Sequence, residues 1–297
     1  MNMSQPELLT EPAAAVDQEA FAFVQMLAEE LSKGQIELPS FPDAAIKVRQ
    51  ALTDEEVSIE KVQRLVSSEP ALAARIMQMA NSAALNHTGK KILDVKSAIA
   101  RIGFNLVRSA SLVFAMAQMR KAESLAPVRD LLQAHWQRSN KVAAFCHILA
   151  KRFSKVNPDT ALLTGLLHGV GRLYIISRSV RHPKLFTNAA AFVGIEREWG
   201  PAITDALLGN WGLDGAVLDA VRDYEDLARV HEGATDLTDI LAVGVLLASL
   251  HEYPDALELN LQNVKAAERM QLDRPTLDLL LADSKTEMGI LQAALST

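Results

Sequence analysis

One cysteine, Cys146, stands in a chain of 297 residues. A lone thiol can build neither an internal disulfide nor a cysteine zinc knuckle, which fits a reducing compartment. Its setting, Val142-Ala143-Ala144-Phe145-Cys146, is that of a small buried packing residue. Aromatic residues are scarce at 5%, and Val, Ile, Tyr and Thr do not cluster in alternating runs. That scarcity argues against a sheet-based fold, while an apolar share of 49% dominated by Ala and Leu favours helices. Positive charge is not in excess: the formal net charge is -6, a poor basis for gripping nucleic-acid phosphates. Long apolar runs are missing too. The longest, Ile240 to Leu250, is too short to cross a bilayer. The N-terminus lacks the basic start and apolar core of a signal peptide. The expectation is a soluble cytoplasmic protein with no membrane partner, no specific nucleic acid and no cofactor. No internal repeat, long linker or phosphate-cradling glycine loop is present.

What is present is helical punctuation. Residues 1–34 read as a polar lead followed by a short amphipathic helix, with Phe21, Val24, Leu27, Ala28 and Leu31 on its apolar stripe. Leu38-Pro39-Ser40-Phe41-Pro42 must be extended, because each proline disfavours helix in the residue before it. A helix through Ala44, Ala45, Val48 and Leu52 follows, and Ser58 has the character of an N-cap. Ser68-Glu69-Pro70 opens a helix with apolar Leu72, Ile76, Met79, Ala80 and Ala83. Asp94 caps a short helix ending at Gly103, and Asn105 starts another. A long helix is predicted over 129–153, and Asn157-Pro158 starts the one that ends in His168-Gly169. Further helices are expected near 184–199, 201–210, 214–230, 236–252 and 260–296. The final stripe of Leu277, Leu280, Leu281, Met288, Leu291 and Leu295 either closes the core or forms a dimer helix.

Several segments in register resemble the HDOD family, the HD-related output domains of bacterial signalling proteins. They are Leu38-Pro39-Ser40-Phe41-Pro42, Ser68-Glu69-Pro70-Ala71-Leu72-Ala73-Ala74-Arg75, Ala80-Asn81-Ser82 and Ala98-Ile99-Ala100-Arg101-Ile102-Gly103. Gly165 to Leu173 and Leu207-Leu208-Gly209-Asn210-Trp211-Gly212-Leu213 extend the likeness over roughly Gly34 to Leu250. The resemblance implies an all-α fold of two contacting helical subdomains, about 35–125 and 126–297, the second like a degenerate HD-type bundle. By domains, it implies a lead at 1–34, an HDOD domain at 35–250, and a helical extension at 251–297 packed on it.

It also implies where an HD metal site would lie: a histidine, then a His-Asp pair, then a distant aspartate. The first place holds Arg138 in Trp136-Gln137-Arg138-Ser139, and a guanidinium cannot coordinate a cation. The second keeps His168, the third is Gly169, and the last aligns with Gly244. A histidine pair common in catalytic relatives would fall near Asp223-Tyr224, and His135 lies one turn before Arg138. No catalytic residue and no metal are therefore expected. For His168 the plainer role is a helix-end histidine bonded to a backbone carbonyl. For Asn81 and Ser82 it is a helix terminator satisfying loose backbone groups, against a polar patch for a partner. Arg172, Arg178, Arg181, His182 and Lys184 form the strongest local run of positive charge. That run is either a solvated connector or a grip for an anionic nucleotide second messenger. The resemblance favours a non-catalytic module of bacterial signal transduction that binds a regulatory or signalling protein. A nucleotide sensor and a residual metal-dependent phosphohydrolase are the alternatives.

Overall fold

Several helices open where a side chain accepts from a free backbone amide: Ser58, Asn157, Asn188 and Asp236 do so. The computed structural model describes residues 11–34, 36, 38, 43–52, 54, 56–81, 89–119, 121–213 and 215–282, with side chains from residue 18 onward. All regular structure among these residues is helical. Helix α1 (Glu11–Ser32) ends before Gly34, whose φ of 64° reverses the chain. Its buried residues are Phe23 and Leu27, four apart, while Phe21 is 65% exposed. Of the stripe read from the sequence, Leu27 is buried and Val24 and Leu31 pack on the core, while Phe21 falls outside it and Phe23 takes its place. Of the expected Leu38–Pro42 entry, all but Leu38 lies outside the described residues, as do Ser82, Leu291 and Leu295.

The first lobe is built from α2 (Asp43–Ala51), α3 (Ile59–Ser67), α4 (Pro70–Ala80) and the front of α5 (Val95–Met119). Ser58 Oγ accepts from the Lys61 amide at 3.3 Å to open α3. Pro70 takes the first turn of α4, where its missing N–H costs nothing. Leu72, Ile76 and Ala80 then recur every fourth residue on the buried face. The Asp94 carboxylate accepts from the Ser97 amide at 2.8 Å to open α5. The two helices expected here both form within α5 and meet at Gly103, whose non-helical φ 79° and ψ 163° suit only glycine. Val48, Val62, Val66, Leu72, Ile76 and Ile99 make this lobe's core, whereas Leu112, Met116 and Met119 of α5 belong to the second core. The helix after Gly103 therefore serves both lobes, with Val107 and Ala110 in the first core and Leu112 and Met116 in the second. Arg108 of α5 joins them again, donating to the Leu52 carbonyl in the first lobe and, at 2.9 Å, to the Gly212 carbonyl in the second.

After a 3₁₀ turn at Glu123–Val128 comes α6 (Arg129–Phe153), the central helix, buried almost continuously from Val142 to Ala150. Around it lie α7 (Pro158–Leu167), α8 (Val170–Arg178), α9 (Ala189–Asn210), α10 (Ala216–Asp223), α11 (Leu237–Leu250), α12 (Pro254–Leu261) and α13 (Lys265–Arg269). A further helical stretch covers 274–282, and its Leu277 and Leu280 are buried in the main core. Asn157 caps α7 by accepting from the amides of Asp159 and Thr160 at 2.9 and 3.1 Å. Asp236 and Asp239 form a reciprocal capping box that opens α11.

Three expected boundaries change. Helix α9 continues through Pro201 instead of dividing there. Proline removes one N–H, but Ile195, Ile203, Leu207 and Leu208 keep one face buried across it. The helix expected over 214–230 stops at Asp223, and the one expected over 260–296 is preceded by α12 and broken after α13. Helices α6, α7 and α11 meet at small residues. A Cβ on Gly165 would lie 2.6 Å from the Ala143 Cα, and one on Gly244 would lie 2.6 Å from the Cys146 Sγ. Two stretches, Val95–Met119 and Pro158–Arg181, have the length and hydropathy of a bilayer span, but 61% and 78% of their apolar windows are buried inside the protein. They are the helices on which the core is assembled.

Candidate functional site

Three of the four positions read as HD-type, Arg138, His168 and Gly169, lie where α6 passes the junction of α7 and α8. His168 is the last residue before the junction, and its Nδ1 lies 2.6 Å from the Gly165 carbonyl, so this nitrogen carries the proton and donates. The Nε2 then keeps its lone pair. Burial holds the His168 imidazole down to a pKa of about 4, with the carbonyl opposing and the Arg138 charge adding to the shift. The ring meets Tyr224 edge-on, with centroids 5.8 Å apart. Tyr224 in turn donates to Glu225 at 3.1 Å, and burial pushes its phenol well above the usual range.

His135 fills the space beside Gly169. A Cβ on that glycine would lie 2.7 Å from the His135 Cε1 and 3.3 Å from its Nε2. The ring is 5% exposed, and neither nitrogen reaches a hydrogen-bond partner. The Gly169 carbonyl pulls on it weakly without attaining bonding geometry. Burial lowers its pKa to about 3, helped by the nearby charges of His168, Arg172 and Arg138. Arg138 itself is exposed at the mouth of this group. Gly244 is not brought here. It packs against Cys146, eight residues from Arg138 and so ~12 Å along α6.

The run of basic residues does not form a free cluster. Arg172 Nε pairs with the largely buried Glu196 at 3.0 Å. Arg178 pairs with Glu30 at 3.0 Å and lies over the Tyr174 ring, whose hydroxyl also donates to Glu30. His182 stands 3.8 Å from Glu19 and against the Phe23 ring. Those contacts fasten α1 to the second lobe. Arg181 and Lys184 are exposed. Asn81 is a terminator: its amide nitrogen donates to the Met77 and Ile92 carbonyls at 3.0 and 2.9 Å, and its oxygen accepts from the Ile92 amide at 2.8 Å. It pins Ile92 to the end of α4.

A second polar group was not singled out from the sequence. His231, Asp236 and Asp239 hold ligand-type atoms within 4.8 Å of one another at the start of α11. Arg229 reaches Asp236 at 2.8 Å, Arg269 reaches the buried Asp239 at 3.0 Å, and His231 lies 2.9 Å from Asp239. Two guanidinium charges already neutralise the two carboxylates. The group is an ion-pair network that ties the loop before α11 to α13. Its one sequence signal is the Asp-x-x-Asp spacing of the capping box. A cleft of about 380 Å³ lies apart from both groups, on the first lobe, lined by Lys90, Lys91, Ile92, Leu93, Asp94, Ser97 and Arg101.

Comparison with known proteins places this geometry in a lineage. Residues 38–227 match the family described as HDOD domain. An uncharacterized protein of Treponema pallidum (strain Nichols) is 22% identical over 224 residues, which are 69% of this chain and 41% of that protein. The chain thus spans less than half the length of this curated relative. Among solved structures, a Shewanella amazonensis SB2B protein provisionally named a metal-dependent phosphohydrolase superposes with a TM-score of 0.68 at 21% identity, covering 94% of this chain and 99% of that one. An HDOD domain protein of unknown function from Geobacter sulfurreducens gives 0.57 at 22% identity, covering 91% and 96%. A Marinobacter aquaeolei VT8 protein, provisionally named for signal transduction, gives 0.54 at 20% identity, covering 96% and 66%. At these identities the superpositions establish the shared fold.

Proposed function

The chain belongs to the HDOD domain family, and from that premise we propose that it is a non-catalytic, cytoplasmic module of bacterial signal transduction that acts by binding a partner protein. The observation that carries the non-catalytic part is the His135 ring lying where a side chain at position 169 would project. A divalent centre of the HD kind draws on two imidazoles and two carboxylates. Here Arg138 brings a fixed positive charge, Gly169 brings no donor, and Gly244 is packed against a thiol. One free imidazole nitrogen, on His168, remains at the four positions. Such a donor set does not fit a hard catalytic cation, which needs several oxygens.

For the partner, the first-lobe cleft has Lys91 on its lining and Leu93 78% exposed beside it. A segment with an acidic and an apolar side chain would match it. The nucleotide-sensor reading loses support at its original place, because Arg172 and Arg178 already hold Glu196 and Glu30. Two assays test the proposal together. Protein incubated with manganese or iron should hydrolyse no phosphodiester, and pull-down from native lysate should recover one stoichiometric protein that Lys91→Glu releases. Metal-dependent turnover would overturn the non-catalytic reading. A partner held equally by the variant would overturn the assignment of the cleft.

A further inference from the structure

Polar atoms cluster without partners on one face of α6. His135 and Ser139 are 5% and 1% exposed, and neither imidazole nitrogen of His135 nor the Ser139 hydroxyl is hydrogen-bonded. Buried polar groups are almost always satisfied, so a set of orphans side by side marks the place of a missing partner. His135 neighbours Arg138 at i+3 and Ser139 at i+4 on the helix surface, Arg138 on its exposed side and Ser139 on its buried side. Arg138 is exposed and has no carboxylate partner among the described residues, unlike Arg172 and Arg178. Its charge reaches His135, His168 and Tyr224.

The sign of the surroundings decides what the missing partner is. His135 is acted on by Arg138, Arg172 and His168, every one cationic or able to become so. A metal ion would meet two guanidinium charges, and the neighbouring carboxylates are already taken, Glu196 by Arg172 and Glu225 by Tyr224. An anion would meet a guanidinium fork, a hydroxyl and an imidazole N–H, each a donor. Carboxylates stand at the rim, with Glu196 held by Arg172 and Glu225 accepting from Tyr224. They set a limit on how much negative charge the place accepts.

We infer that the α6 face at the α7–α8 junction binds an oxyanion, a phosphate or carboxylate group of a small ligand, with Arg138 as its charge partner and His135 and Ser139 as buried donors. The guanidinium thereby does at this junction what a bound cation does in a metal phosphohydrolase, holding an anionic group without activating it. This inference does not rest on the partner-binding proposal, and a protein that captured no partner would still bind the anion.

The test is a titration of the full chain with inorganic phosphate, and in parallel with acetate, read from the imidazole proton–nitrogen correlations of His135 and His168. His135→Gln and His168→Gln assign the two signals. The expected result is a saturable shift of the His135 signal, with the tighter of the two anions naming the class. Arg138→Gln should weaken it by about tenfold or more while leaving the melting temperature in place, since the residue is exposed. Arg181→Gln, exposed and outside the group, should change nothing. Three results would overturn the inference: no shift with either anion, which leaves ordered water as the occupant; equal affinity in Arg138→Gln; or a zinc titration that shifts both imidazoles where neither anion does.

Discussion

Replacing Gly169 by alanine puts the central geometric claim at risk. The glycine has φ −100° and ψ 18°, so an alanine meets no backbone strain. What it meets is the His135 ring, with Cε1 at 2.7 Å from the new Cβ. Carbon atoms pack best at ~3.5–4.0 Å, so the overlap is on the order of 1 Å. The ring is enclosed and cannot swing away freely, and overpacking of this size costs about 1–3 kcal/mol. Against that, replacing glycine restricts the unfolded chain and returns ~0.4–1 kcal/mol. Gly169→Ala should therefore destabilise the protein by roughly 0.5–2 kcal/mol. In a His135→Ala background the clash is gone, and the same change should be neutral or stabilising. Urea denaturation of the four proteins gives the coupling energy, expected near 1–3 kcal/mol. If Gly169→Ala costs the same with and without the ring, His135 does not fill that space and the reasoning fails. The same geometry says that Gly169→Asp cannot rebuild an HD pair by itself, because the carboxylate and the imidazole compete for one volume.

The two buried imidazoles make stability depend on pH. Unfolded rings take up protons below about pH 6.5, while the folded ones resist until about 3 and 4. The unfolded state then binds more protons, so stability falls as pH falls through this window. From pH 7 to pH 5 the loss should be ~2 kcal/mol per ring and ~4 kcal/mol together, and it should largely vanish in His135→Gln, His168→Gln double variants followed by urea denaturation. Arg108→Ala removes the donor to the Leu52 and Gly212 carbonyls and should cost about 1.5–3 kcal/mol per charged bond, with faster amide exchange at both lobe edges; unchanged exchange would show the lobes held by other contacts. Asn81→Ala should cost about 1–3 kcal/mol and expose the Ile92 amide, whose exchange rate is the direct readout.

The parts of this fold legible in sequence are those set by local chemistry. Helix α6 spans 129–153 as expected, Ser58 and Asn157 cap the helices they precede, and the helix opened by Asp94 ends at Gly103. Each signal is complete within a few residues. What was hidden depends on distant partners. Phe23 rather than Phe21 faces inward because α1 lies against Phe192's helix and the turns before it, a choice made by tertiary packing. Pro201 sits within α9 because burial on either side outweighs one lost hydrogen bond. The basic run was visible, but Glu30 and Glu196, which neutralise it, were not identifiable as its partners from spacing. His135 was seen as lying a turn from Arg138, yet only the folded chain shows it occupying the room that Gly169 leaves.

The crossing of α6, α7 and α11 has one more consequence. Its centre is the chain's single sulfhydryl, wholly enclosed, pushed above its ordinary pKa by burial and facing the Ile240 carbonyl at 3.8 Å. No thiol reagent can touch it until those three helices part. Cys146 is therefore a built-in clock for the opening of the second lobe: its alkylation rate, read without any added label, times how often the innermost helices separate, and any ligand that braces them will slow it.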